Sequence, residues 1–258
     1  KEGKQMYRKG CPDEYPITLV LNGYEIAVFQ LTKHDLEDWA YGYLFSEGFI
    51  QEASEIEYIT INEEMGSINV SLLNGFNEEE LFTKKKHYTA GCGRGVTFFS
   101  ITDVKNFQKV TSEHSYKLSY LLKKRSEFTL NSPFYLETGG MHGACIVEES
   151  GNITVREDIG RHNAVDKIIG HTLRQGLHPE RLVLLTTGRV SYEMLSKAAK
   201  FGFPVIGSRT AATKQAVQLA KYLNIEVIGY LRGKMANIYT STGRVENDLL
   251  EIQAVEMH

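Results

Sequence analysis

A chain of 258 residues with 42% hydrophobic side chains can bury one large core or two modest ones. Its formal net charge of −3 sets up no global field for nucleic acid or an acidic membrane, so any anion must be met by a local cluster of Arg and Lys. No apolar run is long enough to span a bilayer, Lys1-Glu2-Gly3-Lys4 do not read as a signal peptide, and the odd set Cys11, Cys92 and Cys145 offers no disulfide framework, which fits a cytoplasmic chain.

The first third is predicted to be β-rich. Ile17 to Leu21 and Tyr24 to Leu31 are apolar-rich runs around Asn22-Gly23, a strong hairpin signal. A helix follows with Thr32 as its cap and Leu36, Trp39, Ala40, Tyr43 and Leu44 at helical spacing; it stops near Glu47-Gly48. Ile56 to Ile61 and Ser67 to Leu72 read as two more strands joined by Glu63-Glu64-Met65-Gly66, and Lys84-Lys85-Lys86 as a solvated edge.

Next comes Thr89-Ala90-Gly91-Cys92-Gly93-Arg94-Gly95, a cysteine between glycines with an arginine two positions on. Glycine lets the backbone turn sharply and approach another molecule, and the arginine favours the reactive thiolate. Two readings stay open from these residues alone: a tight turn whose small residue is cysteine, or an exposed thiol that reacts. Phe98 to Lys124 reads as helical, with a break near Thr111 to Ser115, and is placed to bridge two domains.

The second half changes rhythm. Ala144 to Val147 and Ile153 to Arg156 form a hairpin around Gly151-Asn152, with Cys145 as a strand residue, and His162 to Leu173 is a helix ending before Gly176. Strands Leu182 to Thr186, Pro204 to Ile206 and Ile225 to Tyr230 alternate with helices Ser191 to Phe201 and Thr213 to Leu223, the rhythm of a parallel sheet.

Ligands of open α/β sheets bind beyond the carboxyl ends of the strands. Those ends carry Thr186-Thr187-Gly188-Arg189-Val190-Ser191, Gly207-Ser208-Arg209-Thr210 and Tyr230-Leu231-Arg232-Gly233-Lys234-Met235. Glycine plus a cation, repeated on one sheet edge, suits a phosphate-bearing ligand. Arg156 to Lys167 gathers acids and arginines at a helix start, where Asp158 is a candidate cap and Arg161 and His162 either face a ligand or join an ion-pair network. In Thr138-Gly139-Gly140-Met141-His142-Gly143 the histidine reads as a hydrogen-bonding scaffold rather than a catalyst.

Together these segments resemble the FdhD family, the formate dehydrogenase accessory sulfurtransferases. The resemblance rests on Leu36 to Ile50 with its Ser46-Glu47-Gly48 ending, Thr138 to His142, Arg156 to Lys167, Gly188 to Ser191 and Tyr230 to Thr240, in that order. It implies a cytidine-deaminase-like three-layer αβα domain with a smaller β-rich α+β N-terminal domain: residues 1–97, a helical connection at 98–128, and the deaminase-like α/β domain at 129–258. Deaminase chemistry itself would need the H-x-E and P-C-x-x-C zinc ligands, whereas this chain has His142-Gly143-Ala144 and no paired cysteines.

The resemblance further implies a sulfur carrier that takes sulfur from a cysteine desulfurase as a Cys92 persulfide. The sulfur passes to molybdenum bis(molybdopterin guanine dinucleotide), the bound substrate, for use by formate dehydrogenase, with no structural metal and a homodimeric assembly. Tyr230, Leu231, Arg232, Gly233, Lys234 and Met235, with Gly188, Arg189, Ser191 and Ser208, fall where the cofactor would bind. The family motif usually carries two cysteines as C-G-x-C-G; here the second position is Gly95, which leaves a binding and delivery chaperone as the alternative role.

Overall fold

The computed structural model describes residues 9–75 and 107–249. Strands β1 (Tyr15–Leu21) and β2 (Tyr24–Leu31) pair antiparallel across Asn22 and Gly23, whose φ values of 50° and 86° suit a two-residue hairpin turn. β1 alternates, burying Ile17, Leu19 and Leu21 on one face. β3 (Ile56–Asn62) and β4 (Ser67–Leu72), strands where the apolar runs predict them, join these two in a four-stranded sheet of order β2-β1-β4-β3.

Helix α1 (Leu36–Ser46) packs Trp39 and Tyr43 edge-on against Phe29 of β2, with ring centroids 4.8 and 4.7 Å apart. Thr32 does not cap it. Asp35, with φ 55°, precedes the first turn, and no side chain caps the helix. The Thr32 hydroxyl instead donates to Asp158 at 2.9 Å and accepts from Lys167 at 2.8 Å.

The bridging helix expected from Phe98 begins later. Residues 107–115 form no helix, and residues 98–106 lie outside those described. β5 (Tyr116–Lys117) pairs with β12 (Val245–Glu246), and α2 (Leu118–Leu130) runs past Lys124. The reason is tertiary: Arg244 Nε and Nη2 donate to the carbonyls of Ser112 and Val110, and Asn224 Nδ2 also donates to Val110 O. Carbonyls held this way are unavailable to a helical ladder.

A six-stranded sheet follows, with β6 (His142–Val147), β7 (Ile153–Asp158), β8 (Val183–Thr186), β9 (Val205–Ser208), β10 (Glu226–Arg232) and β11 (Met235–Thr240) in the order β11-β10-β9-β8-β6-β7. Only β8, β9 and β10 are parallel. This is the parallel run expected where strands alternate with helices, and β6 and β7 form the expected hairpin around Gly151-Asn152; β11 adds an antiparallel edge because a short turn joins it to β10, and a short turn links only antiparallel strands. Alternate strand residues enter two cores. Ile146, Leu184 and Ile206 meet α4 (Arg161–Arg174), α5 (Tyr192–Phe201) and the N-terminal sheet, while Cys145, Leu185 and Val205 meet α2. α6 (Lys214–Leu223) covers the first core, and α3 (Pro133–Thr138) links α2 to β6. Among the described residues no helix is long and apolar enough to cross a membrane.

The N-terminal sheet is held to the larger one through α1 and α4. Both helices carry Asp-x-x-x-Gly at their crossing, as Asp38 and Gly42 in one and Asp166 and Gly170 in the other. A Cβ on Gly42 would run into the carbonyl of Asp166, and one on Gly170 into the carbonyl of Asp38. Around this contact, Lys167 pairs with Asp158 at 2.7 Å with both side chains fully buried, and Lys197 pairs with Asp166 at 2.7 Å while Ser46 donates to Asp166 at 2.8 Å. Asp158 therefore does not cap α4: Gly160 precedes that helix, and the carboxylate is spent on Lys167, Thr32, Gly160 N and Asn163.

Candidate functional site

The three strand ends singled out by the sequence are laced to one another. Arg209 N donates to Thr186 O at 3.0 Å, the Ser208 hydroxyl donates to Gly188 O at 2.7 Å, and Tyr230 N donates to Thr210 O at 3.0 Å. Gly188, Ser208 and Tyr230 thus lie along one edge, at the ends of β8, β9 and β10. Two hydroxyls are structural as well as local: Ser191 accepts from Met194 N at 3.3 Å as the cap of α5, and Ser208 also accepts from Thr210 N at 3.0 Å.

Arg189 is exposed beside buried Gly188. The third segment is a hairpin rather than a strand-to-helix loop, since Tyr230, Leu231 and Arg232 close β10 and Met235 opens β11 across Gly233 and Lys234. Tyr230 has φ 52°, and the pairing with β11 shifts register between Gly229 and Arg232. This turns the Tyr230 ring outward under the Arg232 guanidinium at 5.6 Å, while Leu231 is fully buried and can offer a ligand only its backbone. Arg232, Gly233, Lys234 and Met235 are exposed.

The N-terminus of α4 arrives beside Gly188. A Cβ there would stand 2.9 Å from Arg161 Cβ and Cδ, so the missing side chain is what lets Arg161 lie over the β8 end. Arg161 and His162 occupy the first turn of α4, which has no acidic residue and no side-chain cap. Arg161 Nε and His162 Nδ1 are buried without a hydrogen-bond partner, and His162 Nε2 is 3.8 Å from Glu193. Burial, then Lys197, Arg161 and His142, push the His162 imidazole down to about 3, so it is neutral at pH 7. Burial and then Arg161 also lower His142. Thr187 Oγ1 accepts from Gly143 N at 3.0 Å and lies 3.3 Å from His142 Nδ1, the scaffold role expected of that histidine.

The cluster from Arg156 to Lys167 splits in two. Arg156, Asp158, Asp166 and Lys167 belong to ion pairs around the α1–α4 crossing, which tie β7 to α1, α4 to β7 and α5 to α4. Arg161 makes no ion pair among the described residues and turns to the strand ends. Glu157 does something the sequence did not signal: its carboxylate accepts from Phe134 N at 3.0 Å and Tyr135 N at 2.7 Å, fixing the start of α3. Tyr135 in turn accepts from Arg209 Nη1 at 2.8 Å.

Such an edge offers backbone N–H groups at a helix start, exposed cations and orphaned buried donors, the parts a phosphate-bearing ligand requires. Cys92 lies outside the described residues. Cys145 is fully buried against α2, where desolvation pushes its thiol far above the usual range, so it is no partner thiol. Cys11 is exposed.

Known proteins share this chain and its fold. A curated Bacillus subtilis (strain 168) relative, "Sulfur carrier protein FdhD", is 34% identical over 90% of this chain and 88% of its own length. Relatives of the same name from Shouchella clausii and Listeria innocua are also 34% identical, covering 90% of this chain and 88% and 90% of theirs. A crystal structure of a Desulfotalea psychrophila protein described as a formate dehydrogenase accessory protein superposes with a TM-score of 0.74 at 26% identity, over 92% of this chain and 90% of that one. With the FdhD/NarQ family model matching residues 12–246, which take in all three strand ends and the start of α4, this chain belongs to the FdhD/NarQ family.

Proposed function

We propose that this protein is a sulfur carrier that accepts sulfur from a cysteine desulfurase on Cys92 and hands it to molybdenum bis(molybdopterin guanine dinucleotide), the form needed by formate dehydrogenase. In the first step the Cys92 thiolate attacks the outer sulfur of the donor persulfide. The donor S–S bond breaks, the donor cysteine leaves as a thiolate, and Cys92 holds the new persulfide. In the second step the outer sulfur departs as a neutral atom to the molybdenum of the substrate, which gives up two electrons to it, and Cys92 returns to thiolate.

The observation that carries the reading is the cationic strand-end edge. Gly188, Arg189, Ser191 and Ser208 on two strand ends and Tyr230 to Met235 on the third are held in register by the cross-loop hydrogen bonds. The orphaned Arg161 Nε fits an anion there, and the diphosphates of the guanylated substrate supply one. We read the six-stranded sheet, covered on both faces, as the deaminase-like three-layer domain.

Incubation with a cysteine desulfurase and cysteine, followed by intact mass, tests the carrier step: one DTT-labile sulfur on Cys92 is expected, and none overturns it. The Gly95 replacement favours a second reading, in which the protein only binds and delivers the cofactor. Full formate dehydrogenase activity in cells carrying Cys92→Ala would select that reading. GDP affinity should fall in Arg189→Ala or Arg232→Ala, and unchanged affinity in both would move the cofactor site elsewhere.

A further inference from the structure

On the opposite face of the sheet from α4, three cations stand without an ion pair among the described residues. Arg125 on α2 is 6% exposed, yet its guanidinium has one protein partner among the described residues, Thr129 Oγ1 at 2.6 Å from Nη1, and Nε is buried with none. Its flat face lies over the Phe128 ring at 4.9 Å. Arg209, at the end of β9, donates Nη1 to the Tyr135 hydroxyl at 2.8 Å and forms no ion pair among the described residues. Lys9 reaches the same place, its Nζ 2.9 Å from where a Cβ on Gly139 would be.

A guanidinium stays charged at any pH the protein meets, so burying one beside another without a counter-charge is unfavourable. Burial and then the Arg209 charge lower Arg125, while the Arg209 hydrogen bond, with further help from Lys9 and Arg125, lowers Tyr135. With 32 Asp and Glu in the chain, acids are plentiful, and none pairs with either arginine among the described residues. Among the described residues the negative charge is missing, and an anionic ligand would supply it. Because Tyr135 accepts from Arg209, its own O–H is free to donate, and two guanidinium edges and one phenol suit the oxygens of a tetrahedral anion.

We propose that Arg125, Arg209 and Tyr135 form a phosphate subsite beside the β9 end, separate from the Gly188 and Arg161 face, that holds one phosphate of the incoming nucleotide ligand. The ligand's identity rests on the function proposed above; the anion does not. Glu157 acts as a positioning residue here, since its bonds to Phe134 N and Tyr135 N set the phenol in place.

The test uses the full chain, with GDP, guanosine and inorganic pyrophosphate titrated calorimetrically into wild type, Arg125→Gln, Arg209→Gln and Tyr135→Phe. Tyr135→Phe keeps the ring and its backbone bonds, so it reports even if Arg125→Gln does not fold. Losing one charge-assisted bond predicts a Kd for GDP raised about tenfold in the arginine variants and roughly fivefold in Tyr135→Phe, with any guanosine affinity unchanged. GDP or pyrophosphate binding that stays within about twofold of wild type in folded Arg209→Gln and Tyr135→Phe overturns the subsite. Failure of both anions to bind wild type overturns it too. Pyrophosphate binding that shows the variant pattern while GDP does not bind would keep the subsite and reject the guanylated substrate.

Discussion

Replacing Lys167 by methionine would leave Asp158 charged in the core. In the folded protein Lys167 Nζ lies 2.7 Å from Asp158 Oδ2 and also donates to Thr32 Oγ1 at 2.8 Å and Glu157 O at 3.0 Å, all out of contact with water. Removing one member of a buried pair destabilises by roughly 3–5 kcal/mol. Asp158 keeps four other donors, from Thr32 N, Thr32 Oγ1, Gly160 N and Asn163 Nδ2, so the lower end applies, about 3 kcal/mol. Urea denaturation followed by the fluorescence of Trp39, the sole and fully buried tryptophan, reads this directly. With a slope of about 3 kcal/mol per molar, the midpoint should drop by about 1 M. In Asp158→Asn/Lys167→Met the loss should be clearly smaller than the sum of the two single losses. A Lys167→Met midpoint indistinguishable from wild type would refute the claim that this pair ties α4 to the end of β7 and to Thr32 ahead of α1.

Gly188→Ala should push Arg161 off the β8 end and weaken GDP binding severalfold, read by titration, while overpacking destabilises by about 1–3 kcal/mol. For Asp38, burial acts to raise the carboxyl, but hydrogen bonds from His171, Arg174 and Arg156 outweigh it and hold it at about 2, against 3.8 ordinarily. A depressed folded value stabilises above the unfolded one and is lost as pH falls through the folded one, so wild type should lose about 1–2 kcal/mol from this group between pH 5 and pH 2. Asp38→Asn should flatten that stretch of the stability curve, and an unchanged curve would show the network to be neutral. Alkylation of the native protein at pH 8 should label Cys11 and spare Cys145 until urea is added; rapid labelling of Cys145 without urea would contradict its burial.

What the sequence disclosed was what is local. Asn22-Gly23 demands positive φ at both residues and takes it. Ser191 and Thr213 cap the helices they precede, accepting from Met194 N and Ala216 N. Thr32 and Asp158 misled for a physical reason: the short polar side chains that cap helices also suit tertiary hydrogen bonding, and here they meet across 126 positions. No periodicity encodes which Lys joins which Asp, so Lys167 and Lys197 look like solvated helix positions until α1 is laid against α4. The strand-end cations were legible because consecutive parallel strands place their ends side by side. Arg125 and Tyr135 were not, because their place beside Arg209 depends on how α2 and α3 pack onto the sheet.

The reciprocal crossing of α1 and α4 restricts how this sequence can change. At most packed positions a larger residue on one helix can be accommodated by a smaller one opposite. Gly42 and Gly170 each face a backbone carbonyl rather than a side chain, and nothing smaller than glycine exists to compensate. A single methyl on either helix can be relieved only by moving the whole of α1, and with it the sheet it carries, away from the helix that presents Arg161. Drift at these two sites is therefore closed in both directions, and two glycines far from any ligand fix the distance between the two halves of the molecule.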